Sequence, residues 1–87
     1  MSKVELQTAT DLLKAGNFRM GEEWENAHQL CQAHEGSPLF DWVHALVHRI
    51  EGDDRNAGYW YQRASKSPHT GSIEEEWQAI RAAVEKG

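Results

Sequence analysis

The sequence predicts an all-α fold of five helices in a single domain, residues 1–87. Glycine- and proline-containing turn signals divide the chain into segments of helical length. Within these segments apolar residues recur at intervals of three and four, and no segment alternates as a strand would. The predicted helices are about 4–15, 22–34, 38–51, 54–66 and 73–86.

The first two predicted helices each carry one apolar stripe. The first is expected to end just before Gly16, because glycine readily adopts the left-handed conformation that follows a helix. The second places Trp24, Ala27 and Cys31 at positions i, i+3 and i+7, which is the spacing of one buried helix face.

The third predicted helix is expected to lie at the centre of the fold. It begins with Ser37 as N-cap and Pro38 in the first turn, an order that favours a helix start. Its apolar residues cover too wide an arc for a helix that packs on one side only. They are Trp42, Val43, Leu46, Val47 and Ile50.

The last two predicted helices have clear N-terminal signals. Helix 54–66 has an aspartate at its N-cap. Helix 73–86 begins with a capping box, in which Ser72 and Glu75 are expected to satisfy each other's backbone N–H groups. The acidic run 74–76 is interpreted as compensation of the helix dipole.

Composition favours a cytoplasmic protein that binds neither nucleic acid nor membrane. Cys31 is the single cysteine, so no intrachain disulfide can form and a reducing compartment is expected. No apolar stretch approaches the roughly 18 residues that a membrane span requires. The net charge is -5 and no basic run occurs, which argues against a phosphate-binding surface.

The chain also resembles itself at an offset of 30 residues. This offset aligns Ala27 with Ala57 and Gln32 with Gln62. A fixed period in this range predicts stacked helical hairpins.

The stretch GDDRNAGYWYQRA, residues 52–64, resembles the second helix of a tetratricopeptide or Sel-like repeat. Such repeats place an aromatic residue, a small residue and a proline where this chain has Tyr61, Ala64 and Pro68. The resemblance implies two antiparallel hairpins, a C-terminal capping helix and a concave groove. The longer string HALVHRIEGDDRNAGYWYQRA resembles a family of small bacterial and fungal helical proteins, and that resemblance implies no catalytic residue.

The function expected from this architecture is an interaction module without a cofactor, rather than an enzyme. Its partner would be a protein or a peptide, or a second copy of the chain as a homodimer. A further possibility is a small-ligand pocket between the third and fourth helices. The residues expected to line the groove are Leu39, Trp42, Leu46, Arg49 and Arg63.

A polar face on the third helix predicts an alternative function, the binding of a divalent transition metal. Its residues, spaced three, four and three apart, are Asp41, His44, His48 and Glu51. The imidazoles of His44 and His48, one turn apart, can share one metal ion. Glu51 and, from the neighbouring helix, His28 are the further candidate ligands. Three protein ligands with an open fourth position would favour a metal-dependent enzyme.

Two structural interpretations of the same face stay open. The face lies opposite the apolar arc, so it is either solvated and carries charge pairs, or part of a buried polar network. The repeat register favours burial, because it turns Asp41, His44 and His48 towards the fourth helix. Buried histidines would need hydrogen-bond partners, for which Tyr61 and Glu51 are among the candidates.

Overall fold

The all-α prediction is confirmed by a computed structural model that describes residues 2–86. These residues form five helices and no strand. None of the helices combines the length and the apolar character that crossing a bilayer requires. The helices are α1 (Ser2–Ala15), α2 (Glu22–Ala33), α3 (Pro38–Glu51), α4 (Asp54–Arg63) and α5 (Ile73–Lys86).

Helix α3 is the central element, as its wide apolar arc predicts. Every side chain from residue 40 to residue 48 is buried, and the other four helices all pack against it. Consecutive helices pair as α1 with α2 and α3 with α4, while α5 packs across α1 and α3. Asp41, His44 and His48 therefore lie inside the molecule, whereas Glu51, the last residue of α3, is exposed.

A two-residue turn joins α3 to α4. Gly52 adopts φ 89° and its N–H donates to carbonyls of the last turn of α3, which is a conformation that glycine adopts without strain. Asp53 then caps α4, and its side chain accepts a hydrogen bond from the N–H of Asn56 at 3.2 Å. This short turn returns the chain along α3 and places Trp60 opposite His44.

One predicted helix end was wrong in detail. Helix α4 stops at Arg63, because Ser65 adopts the left-handed φ of 58°. Helix α1 ends at Ala15 as predicted, but the left-handed residues that follow it are Asn17 (φ 57°) and Phe18 (φ 56°) and not Gly16.

The acidic run at the start of α5 has two roles, of which the sequence predicts one. Ser72 and Glu75 form the predicted capping box, with N–H to Oε1 at 2.8 Å and N–H to Oγ at 3.0 Å. Glu76, by contrast, is fully buried, because it lies one turn after Ile73 on the face that packs inward. The sequence does not predict this burial, although Glu76 also lies in the first turn of α5, where the helix dipole favours an anion.

The Glu76 carboxylate joins three helices. It accepts hydrogen bonds from Trp42 Nε1 at 3.0 Å and from Arg49 Nη1 at 2.8 Å, both on α3. From α4 it accepts the Tyr61 hydroxyl, whose oxygen lies 2.7 and 2.6 Å from the two carboxylate oxygens. Burial and the hydrogen bond to this carboxylate raise the pKa of Tyr61. A buried charge is tolerated here because it is paired and fully hydrogen-bonded.

Candidate metal centre

Three histidines converge where α2 packs on α3. His44 and His48 lie one turn apart on α3 and project from the same face. Trp24, one turn before His28 on α2, donates from its indole Nε1 to the carbonyl of Val47 at 2.8 Å. This bond fixes α2 against α3 and places the ring of His28 edge-on to the rings of His44 and His48.

The spacing of the three rings approaches that of a metal-binding cluster. The ring centroids of His28, His44 and His48 are pairwise 5.0 Å apart. One ligand nitrogen from each ring lies within 4.8 Å of the other two. An ion at the centre of this triangle of nitrogens would lie within about 2.8 Å of each of them, whereas a Zn–N bond is about 2.0–2.1 Å long. A movement of less than about 1 Å by each ring would close the site.

His44 has an unsatisfied polar atom. Its side chain is 2% exposed and stacks on the indole of Trp60 with a centroid distance of 3.9 Å. Among the described residues, no group hydrogen-bonds its buried Nδ1. A buried polar atom without a partner costs about 1–3 kcal/mol, and such an atom in a native fold points to a bound water or ion.

Two of the rings are neutral at pH 7 and so carry a lone pair. Burial, and then the neighbouring His48 and His28, lowers the pKa of His44 to about 3. Burial followed by His48 also lowers the pKa of His28, against the opposing effect of Glu25, Glu51 and Glu35. Metal binding requires a deprotonated imidazole nitrogen, and the fold holds these two rings in that form.

Glu51 contacts the cluster through His48. Its Oε1 lies 2.8 Å from His48 Nδ1, so this carboxylate hydrogen-bonds a histidine and stands apart from the cluster of three nitrogens. A second group of possible ligand atoms consists of His48, Glu51 and Asp53, the last two of which are exposed.

The solvated-face interpretation of α3 was wrong. Asp41, His44 and His48 are 1%, 2% and 6% exposed. Asp41 lies outside the histidine cluster and accepts the N–H of Gly36 at 3.1 Å, ahead of α3. Of the partners expected for a buried network, Tyr61 is bound by Glu76 and only Glu51 reaches a histidine of this face.

The predicted groove on α3 is covered by α5. Trp42 and Leu46 are 8% and 0% exposed, so neither side chain lines an open surface. Arg49 donates to Glu76 and to the carbonyl of Gly71. Helix α5 thus packs on the central helix beside these residues and does not merely cap the array.

The other two predicted groove residues keep some exposure. Leu39 is partly buried against the core. Arg63 is exposed on α4, where it donates to the hydroxyl of Tyr59 at 2.8 Å.

A shallow pocket does lie between α3 and α4. Arg49, Gly58, Tyr61 and His69 are among its lining residues. The polar groups of Arg49 and Tyr61 are already bound to Glu76. The pocket thus offers a ligand few free polar groups from these two residues.

Cys31 is a core residue. It is fully buried, and burial raises the pKa of its thiol. The thiolate that a nucleophile needs is therefore disfavoured.

Comparisons of the chain with family models, with curated proteins and with solved structures find no match. The resemblance to helical repeats stays a prediction. The function is consequently inferred from the histidine cluster itself.

Proposed function

We propose that the protein binds one divalent transition metal ion through His28, His44 and His48. The observation that carries this proposal is the approach of three ligand nitrogens to within 4.8 Å of one another. The unpartnered, buried Nδ1 of His44 supports it independently. A bound ion would give this polar cluster the partner that the surrounding protein does not supply.

The ligand set favours borderline metals. Imidazole nitrogen suits Zn²⁺, Ni²⁺, Cu²⁺ and Co²⁺, whereas Mg²⁺ and Ca²⁺ prefer oxygen ligands. Three protein ligands leave a fourth position for water or another small ligand. His28 is only partly buried, so that position would lie on the His28 side, where solvent approaches the cluster.

An interaction module is the weaker proposal. Its partner would be a protein, a peptide or a second copy of the chain. Trp42 and Leu46, two of the residues expected to contact such a partner, are buried inside the molecule. The remaining support is the resemblance of residues 52–64 to a repeat helix.

Metal content and titration test the proposal. Untagged protein would be analysed by mass spectrometry and then titrated calorimetrically with Zn²⁺, Ni²⁺ and Mn²⁺. We expect one equivalent of Zn²⁺ or Ni²⁺ to bind and Mn²⁺ to bind much more weakly. Trp24 and Trp60 contact His28 and His44, so tryptophan fluorescence should change with the same stoichiometry.

Matched variants locate the site. His28→Gln removes the most accessible of the three ligands and should weaken binding by at least tenfold. His69→Gln removes a histidine outside the cluster and should leave the affinity unchanged. Absence of stoichiometric Zn²⁺ and Ni²⁺ binding in the folded wild-type protein would refute the proposal.

A further inference from the structure

We infer that Glu51 is a positioning residue of this metal centre, which fixes the orientation and the tautomer of His48 so that Nε2 faces the ion. The inference rests on the proposed function. It assigns Glu51 a role different from the one its spacing suggests, because the residue holds a ligand and does not serve as one.

The contact that supports this role is direct. Glu51 Oε1 and His48 Nδ1 are 2.8 Å apart, on adjacent turns of α3. An ionised carboxylate can only accept hydrogen bonds, so the hydrogen must be on Nδ1. In the neutral imidazole the lone pair is then on Nε2. A carboxylate bound to the far nitrogen of a histidine ligand also makes the metal-binding nitrogen more basic.

The end of α3 keeps Glu51 in place. Glu51 is the last residue of the helix, and Gly52 reverses the chain directly after it. The His48 side chain is 8% exposed and that of Glu51 is 37% exposed. The carboxylate therefore lies between the buried ring and solvent.

Glu51 also acts on the cluster through its charge alone. Together with Glu25 and Glu35 it favours positive charge at His28. A test must separate this general attraction for a cation from the hydrogen bond to His48. Glu25 provides the control, because it contributes the same kind of charge from α2.

The experiment compares Glu51→Ala, Glu51→Gln and Glu25→Gln with the wild type. Nitrogen-detected NMR of the metal-free proteins reports the tautomer of His48, and calorimetry reports the Zn²⁺ affinity. Glu51→Gln keeps an acceptor oxygen and removes the charge, so it should retain the Nδ1–H tautomer and lose about as much affinity as Glu25→Gln. Glu51→Ala should give a mixture of tautomers and a further loss of affinity of about 10- to 100-fold.

The outcomes separate this inference from the proposed function. If the wild-type protein binds Zn²⁺ but His48 carries its hydrogen on Nε2, Glu51 is not a positioning residue, whereas the proposed metal site is supported. The same follows if Glu51→Ala binds Zn²⁺ as well as Glu25→Gln does. Nδ1–H in a wild-type protein that binds no Zn²⁺ would refute both, because Glu51 would then orient a histidine that holds no metal.

Discussion

Replacing Glu76 by glutamine tests how far the buried carboxylate holds three helices together. Glu76 is fully buried and is bound by Arg49, Trp42 and Tyr61. Glu76→Gln keeps the size of the side chain and one acceptor oxygen. The substitution removes the negative charge. The new amide NH₂ group would face the N–H and O–H donors that the carboxylate accepts, so at least one of these donors loses its acceptor.

The expected loss of stability is about 3–5 kcal/mol. Removing one partner of a buried ion pair costs about that much, because the other charge is left uncompensated. Arg49 keeps some access to solvent, with 23% of its side chain exposed, which places the expectation near the lower end. For a chain of this size, about 3 kcal/mol corresponds to a decrease in melting temperature of roughly 12–24 °C.

Urea and thermal unfolding at pH 7, followed by circular dichroism, measure this loss. Glu74→Gln removes the same charge from an exposed position on α5 and should change stability by less than about 0.5 kcal/mol. Tyr61→Phe removes one donor and should cost about 1.5–3 kcal/mol, which supplies a measurable variant if Glu76→Gln does not fold. A loss below about 1 kcal/mol for Glu76→Gln would refute the reasoning, since the buried pair would then carry little net stability.

Three further predictions concern single residues. Metal-free protein should lose stability as the pH falls from about 6.5 towards 3, because His44 binds a proton in the unfolded chain but stays neutral in the folded one, where its pKa is about 3. The free energy of unfolding should fall by up to about 1.4 kcal/mol per pH unit from this group. Urea midpoints that stay constant over this range would contradict the prediction. Ser65→Gly should stabilise the protein by about 0.5 kcal/mol in urea unfolding, because Ser65 adopts φ 58°; Ser67→Gly, where no positive φ occurs, should not. Cys31 should react with a thiol reagent such as DTNB only after unfolding, since it is fully buried; rapid reaction in the native state would exclude this burial.

The helices are predictable from local signals because those signals act over a few residues. Pro38, Gly52 and the Ser72–Glu75 capping box each fix a helix end through their own backbone chemistry. The end of α4 escaped prediction, since nothing in the side chain of Ser65 marks the left-handed conformation that it adopts.

The site is predictable only where its residues share one helix. The spacing of His44 and His48 places them together, and the adjoining helix suggests His28. The sequence contains no sign that Trp60 would cover His44, because that contact depends on how α4 packs. The burial of Glu76 is unpredictable for a related reason: three consecutive glutamates look alike in sequence, and only the orientation of α5 distinguishes the buried one. The same packing of α5 covers the predicted groove.

The attachment of α4 has a consequence for the kinetics of metal uptake. Among the described helices, the backbone of α4 approaches only α3, whereas α3 is held by every other helix. We therefore expect α4 to detach in local openings that break the Tyr61–Glu76 hydrogen bond and leave the other four helices packed. Such an opening removes Trp60 from His44 and gives a buried ligand transient access to solvent. An ion that first meets the more accessible His28 would then gain His44 as a ligand at a rate set by the opening frequency of one short helix, and not by diffusion.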